Sequence, residues 1–178
     1  MSRSALIVID MLNRYEHDDA DRLMESVLRI IPGVRALVDS ARRNGVLIVY
    51  VNDNHGDWSA GRDKLVEWAL AGADAALIEP IVPEPDFPFI VKARHSAFYE
   101  TQLDYMLRRQ EIRRLVLAGQ VTEQCILYTA LDAYVRHYEV AVVRDAVAHI
   151  HSDLADAALE MMRRNMRAEI VTVPELEW

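Results

Sequence analysis

Apolar residues in this chain alternate between short unbroken runs and longer stretches at helical spacing. The run 5–9, Ala-Leu-Ile-Val-Ile, ends at Asp10 and has the make-up of a central parallel strand buried on both faces. Similar runs occur at 46–51, 89–92, 115–118, 140–143 and 169–173. Between the first two, Leu23, Val27, Leu28, Ile31, Val34, Leu37 and Val38 recur at helical spacing over 23–44. Pro32-Gly33 predicts an interruption of that helix, and Asn44-Gly45 its end. Shorter helices are predicted over 62–71, from an N-cap at Thr101 to Arg109, over 126–137, and over 152–165 with Ser152 as N-cap. Strands alternating with helices imply a parallel sheet. The expected fold is one α/β domain over 1–178, a three-layer α/β/α, Rossmann-like arrangement doubly wound around a mostly parallel six-stranded sheet.

Two segments depart from the pattern. Residues 12–20 form a polar loop directly after Asp10. Residues 52–88 open with Asn-Asp-Asn-His-Gly-Asp-Trp and carry four prolines between 80 and 88. This long excursion leaves the carboxyl end of a predicted strand, where α/β proteins build substrate pockets. Trp58 and Trp68 either line such a pocket or staple the excursion to the body.

Charge narrows the range of partners. The chain has 20 lysines and arginines against 28 acids, a formal net charge of -8, so it offers no basic footprint for nucleic acid or anionic lipid. No apolar run reaches the length of a membrane span, the N-terminus lacks a signal-peptide core, and one cysteine cannot form an internal disulfide. A soluble, cytoplasmic protein acting on a small molecule is the expectation.

Glycine-rich phosphate loops and a Gly-x-Ser-x-Gly elbow are missing from the sequence. The candidate chemistry lies at the ends of strands. Asp10 closes the first run, at the edge where open α/β sheets bind ligands, with an N-cap or turn role as the competing reading. Lys92 closes the third, and a lysine on the surface beside the sheet is the ordinary alternative. Cys125 follows the fourth, in Gly119-Gln120-Val121-Thr122-Glu123-Gln124-Cys125, where a helix begins. A thiol there feels the helix dipole and unpaired N–H groups, which favour the thiolate of a nucleophile; a buried structural cysteine is the competing reading. His149 and His151 have no acid or thiol cluster near them in sequence and read as residues of a loop leading into a helix.

Three separated stretches resemble one family in the right order. They are Leu6-Ile7-Val8-Ile9-Asp10-Met11, Val91-Lys92-Ala93-Arg94-His95-Ser96-Ala97-Phe98, and Gly119 through Ile126. The chain is similar over nearly its whole length to the isochorismatase-like cysteine hydrolases, which include nicotinamidases, N-carbamoylsarcosine amidase and isochorismatase. The resemblance implies a catalytic triad of Asp10, Lys92 and Cys125, with Asp10 as proton carrier, Lys92 as thiolate stabiliser and Cys125 as nucleophile. It further implies a cis peptide between Gln120 and Val121, and an oxyanion hole from the backbone N–H groups of Val121 and Cys125.

The implied activity is hydrolysis of a small amide, carbamoyl or lactam substrate through a thioester. Two alternatives stand beside it: a non-catalytic binding or scaffold protein, for which the divergent 52–88 excursion speaks, and an isochorismate-type vinyl-ether hydrolase working through Asp10. Asn13, Tyr15, Asp53, Trp58 and Phe98 are the candidate pocket residues. Nicotinamidases hold a metal through an Asp-x-His and a later histidine. Asp53-Asn54-His55 matches the first two ligands, but no histidine occurs over 56–94, so neither a metal nor another cofactor is expected. Leu12-Asn13 replaces the glutamine many relatives carry after Asp-Met. A homodimer or homotetramer is the assembly the resemblance implies.

Overall fold

In strand β1 (Ser4–Ile9) successive side chains leave opposite faces of the sheet, and that alternation sets the layers. Ala5, Ile7 and Ile9 join one apolar cluster, Leu6 and Val8 the other. The computed structural model describes residues 3–178. Its remaining elements are α1 (Ala20–Arg43), β2 (Leu47–Asp53), α2 (Arg62–Leu70), α3 (Ala75–Ile78), β3 (Phe89–Lys92), α4 (Leu103–Arg109), β4 (Arg114–Gln120), α5 (Leu127–Val135), β5 (Glu139–Ala148), α6 (Ser152–Asn165) and β6 (Glu169–Val171). Helices α4, α5 and α6 cover the first cluster through Leu107, Ala130, Ala133 and Met162. On the other face, α1, α2 and α3 cover the second through Val27, Val34, Leu37, Leu65 and Ile78.

All five strand pairings are parallel, in the order β3-β2-β1-β4-β5-β6. Chain order runs outward from β1 in one direction and from β4 in the other. The crevice at the carboxyl ends of β1 and β4 is therefore the topological switch point at which such sheets bind ligands.

Several local expectations need correction. Helix α1 runs unbroken through Pro32. The proline removes one backbone donor, while a Cβ on Gly33 would lie 2.2 Å from the Asp145 carbonyl oxygen, so the glycine lets α1 pack directly on β5. His151, with extended backbone, precedes α6, and Ser152 is the helix's first residue. Gln102 likewise holds the cap position of α4, although Thr101 Oγ1 still accepts from the Leu103 N–H at 3.3 Å. Strand β4 extends to Gln120, two residues beyond its apolar run, and its pairing with β5 shifts between Leu117 and Gly119.

Gly119 lies at φ +115°, and a Cβ there would come within 2.1 Å of the Ile9 carbonyl oxygen. No larger residue fits without separating β1 from β4. Gly119→Ala is expected to cost about 3 kcal/mol, seen as a lowered urea midpoint at unchanged m-value.

Candidate active site

Four adjacent strands deliver the chemistry to one edge. Asp10 immediately follows β1, Asp53 closes β2, Lys92 closes β3, and Gln120 closes β4. Asp10 is held at every polar atom. Its N–H donates to the Val51 carbonyl at 2.9 Å, and its own carbonyl accepts from Gln120 Nε2 at 2.6 Å. Its Oδ1 accepts from the Asp53 N–H at 2.7 Å, and its Oδ2 pairs with Lys92 Nζ at 2.9 Å. The backbone at φ +56° is in the left-handed region, which aspartate tolerates better than most residues.

Lys92 is not a surface lysine: it is 2% exposed. Its Nζ lies 3.7 Å from Cys125 Sγ and 3.7 Å from Asp53 Oδ2. Burial works against its charge, but Asp10, with Cys125 and Asp53, outweighs burial and holds the ammonium above the ordinary lysine value.

Cys125 does not open the α-helix directly. It lies within a π-helical turn, Thr122–Ile126, that precedes α5. The preceding bond between Gln120 and Val121 is cis. Cys125 is 8% exposed, and burial, then the Asp10 charge, push its pKa up to about 12 against the opposing pull of Lys92. The expected thiolate is therefore corrected: desolvation outweighs the nearby cation. Burial and the Asp10 carboxylate thus favour the protonated sulfur, and Lys92 Nζ, 3.7 Å away, opposes them.

A thiol that keeps its proton when folded and loses it when unfolded makes the unfolded chain bind fewer protons as pH rises from 9.0 toward about 12. Stability then falls with pH, by up to about 1.4 kcal/mol per pH unit from this one group. Lys92 adds the same sign: its contribution is complete below the ordinary lysine pKa and is lost as pH rises through its higher folded value. Urea denaturation between about pH 8 and 11 should show a shallower decline for Cys125→Ala than for the wild type.

Above these groups opens a cleft of about 280 Å³. Asn13 and Asp53 line it. Tyr15 is buried beside it, its hydroxyl donating to Gln120 Oε1 at 3.3 Å. Phe98 is in the core, stacked on Tyr138 at 5.9 Å, because its neighbours in the chain fold under α5. Trp58 is 85% exposed and Trp68 is the staple, stacked on His55 at 4.4 Å with the Arg14 guanidinium over its ring at 5.1 Å. The sequence did not single out His17, Asp19, His95, Gln124 or Ile150 as lining residues. Only their placement in loops after β1, β3, β4 and β5 could have marked them. Glu123 ties two of those loops together, its Oε1 accepting from the N–H groups of Ile150 and His151 at 2.9 and 2.8 Å. A larger hollow of about 890 Å³, lined by Ser40, Arg114 and Trp178, contains none of these groups and borders the amino-terminal end of β1.

The residues do not fit the metal of nicotinamidases. His55 Nε2 is engaged with the Leu12 carbonyl at 3.0 Å, and Asp53 Oδ1 accepts from the His55 N–H at 2.8 Å. Among the described residues no group of three His, Cys, Asp or Glu side chains is arranged to hold an ion.

The isochorismatase domain model matches residues 4–175. The uncharacterized isochorismatase family protein YaaI of Bacillus subtilis is 33% identical over 172 residues, covering 97% of this chain and 95% of the relative. Ureidoacrylate amidohydrolase of an Enterobacter strain is 30% identical over 182 residues, covering 87% and 79%. The crystal structure of N-carbamoylsarcosine amidase from Thermoplasma acidophilum superposes with a TM-score of 0.75 at 29% identity, covering 99% of each chain. With the sheet order, the site at its switch point and this match over almost all of its length, the chain belongs to the isochorismatase family of hydrolases.

Proposed function

We propose that this hydrolase cleaves the C–N bond of a small amide, carbamoyl or lactam through a thioester on Cys125. The observation that carries the reading is the mutual contact of Asp10, Lys92 and Cys125 in a buried cluster open to one cleft. Asp10 takes the thiol proton as the sulfur attacks the carbonyl carbon, so the high proton affinity of the resting thiol is overcome only when a substrate is in place. Lys92 offsets the charge on the sulfur, and the Val121 and Cys125 N–H groups receive the developing oxyanion. Collapse breaks the C–N bond, with Asp10 returning the proton to the leaving nitrogen. Asp10 then deprotonates a water that attacks the thioester, releasing the acid and restoring the thiol.

The absence of a helix long and apolar enough to cross a membrane, among the described residues, is consistent with a cytoplasmic enzyme. A homodimer or homotetramer is the assembly proposed. The chemistry is tested by ammonia release from a panel of small amides together with intact-mass analysis after acid quench. An acyl adduct on Cys125 that accumulates during turnover is expected; release of ammonia without any adduct on the chain under single-turnover conditions would remove the covalent step.

A further inference from the structure

Ureidoacrylate amidohydrolase and N-carbamoylsarcosine amidase are named for different substrates, and the charges around this cleft bear on what it accepts. Three carboxylates line it: Asp10, Asp53 and Asp19. Lys92 is the cation that pairs with Asp10 and Asp53, and no arginine or lysine is among the lining residues. Counting histidine as neutral, the cluster carries two net negative charges. Asp19 stands exposed at the rim with no side-chain partner among the described residues. Arg14 is turned away, its Nε donating to the Trp68 carbonyl, and Arg94 is exposed outside the lining.

A carboxylate entering this cleft would give up hydration and gain no guanidinium or free ammonium in exchange. Ureidoacrylate, the substrate named for the Enterobacter relative, is such an anion. We infer that this enzyme acts on amides that are uncharged or carry an amine, and discriminates against those that carry a carboxylate. The substrate class rests on the amidase reading; the charge selectivity of the cleft does not.

Cys125 is the only cysteine, so alkylation reports on this cleft alone. Iodoacetamide and iodoacetate differ little in shape and by one charge. Relative to their rates with mercaptoethanol in the same buffer, Cys125 is expected to favour iodoacetamide by about 10- to 100-fold, equivalent to about 1.4 to 2.7 kcal/mol. Asp19→Asn and added salt should both narrow the gap, since an exposed rim charge is screened. In hydrolysis, succinamide should be turned over with a kcat/KM higher than that of succinamate by a similar factor. Iodoacetate reacting at the reference ratio or faster, or succinamate hydrolysed as well as succinamide, overturns the inference and leaves amide hydrolysis standing. An alkylation gap in a protein that hydrolyses none of the panel, 4-aminobutyramide included, supports the charge selectivity and removes the amidase reading instead.

Discussion

Replacing Cys125 by alanine is expected to lower amide turnover by about 10⁴-fold or more while leaving the fold intact. Without the sulfur there is no thioester, and Asp10 and Lys92 can only orient a water that has no path divided into two easier steps. Serine should not rescue activity, because Asp10 cannot draw a proton from an alcohol as it can from a thiol. The structural cost is small: the side chain is short, and the turn around it is anchored by Ile126 in the core and by the Thr122 hydroxyl, which donates to the Ala148 carbonyl at 2.8 Å. Ammonia release with a thermal melt on the same sample separates lost chemistry from lost fold. Activity within about tenfold of the wild type would transfer the reaction to Asp10 alone, as in vinyl-ether hydrolysis, and end the nucleophile reading.

Lys92→Met should be both inactive and unstable. Its ammonium is buried against Asp10 and Asp53, so its removal leaves two carboxylates facing each other without a counter-charge, at a cost of about 3 to 5 kcal/mol. The informative comparison is the double variant Asp10→Asn with Lys92→Met. It removes one of the stranded charges, and should be more stable than Lys92→Met alone, although equally inactive. Additive losses in urea denaturation would show that packing of the lysine stem, rather than charge, holds this cluster together. A catalytic deficit of about 10³-fold in kcat for each single variant is expected from ammonia release at saturating amide.

Much of this architecture is legible one residue at a time. Residues 5–9 and 46–51 are apolar on both sides because helices cover both faces of their strands, and that burial writes itself into composition. The ends of the runs 5–9 and 89–92 place Asp10 and Lys92, since the polar residue terminating a buried strand must stand at its rim. Local rules fail where a distant partner decides. Pro32-Gly33 reads as a break because nothing nearby in sequence reveals the Asp145 carbonyl against which Gly33 packs. The pKa of Cys125 is raised by burial and by Asp10, groups brought in by the fold, which the helix-start argument, seeing only neighbours in the chain, leaves out. His17, Asp19 and Ile150 belong to the cleft by loop path alone, and Trp58, drawn toward it by its aromaticity, points to solvent.

The strand that carries Lys92 is four residues long, lies at the sheet's edge, and is bonded only to β2. Asp10 and the Cys125 turn flank the two central strands, whereas the lysine rides on a border element of the kind that opens first in native-state fluctuations. Partial opening of that border would dismantle the site while the rest of the molecule stays folded. The Lys92 pairs with Asp10 and Asp53 thus act as a clasp as well as an electrostatic device, and slow hydrogen exchange along 89–92 would be its signature.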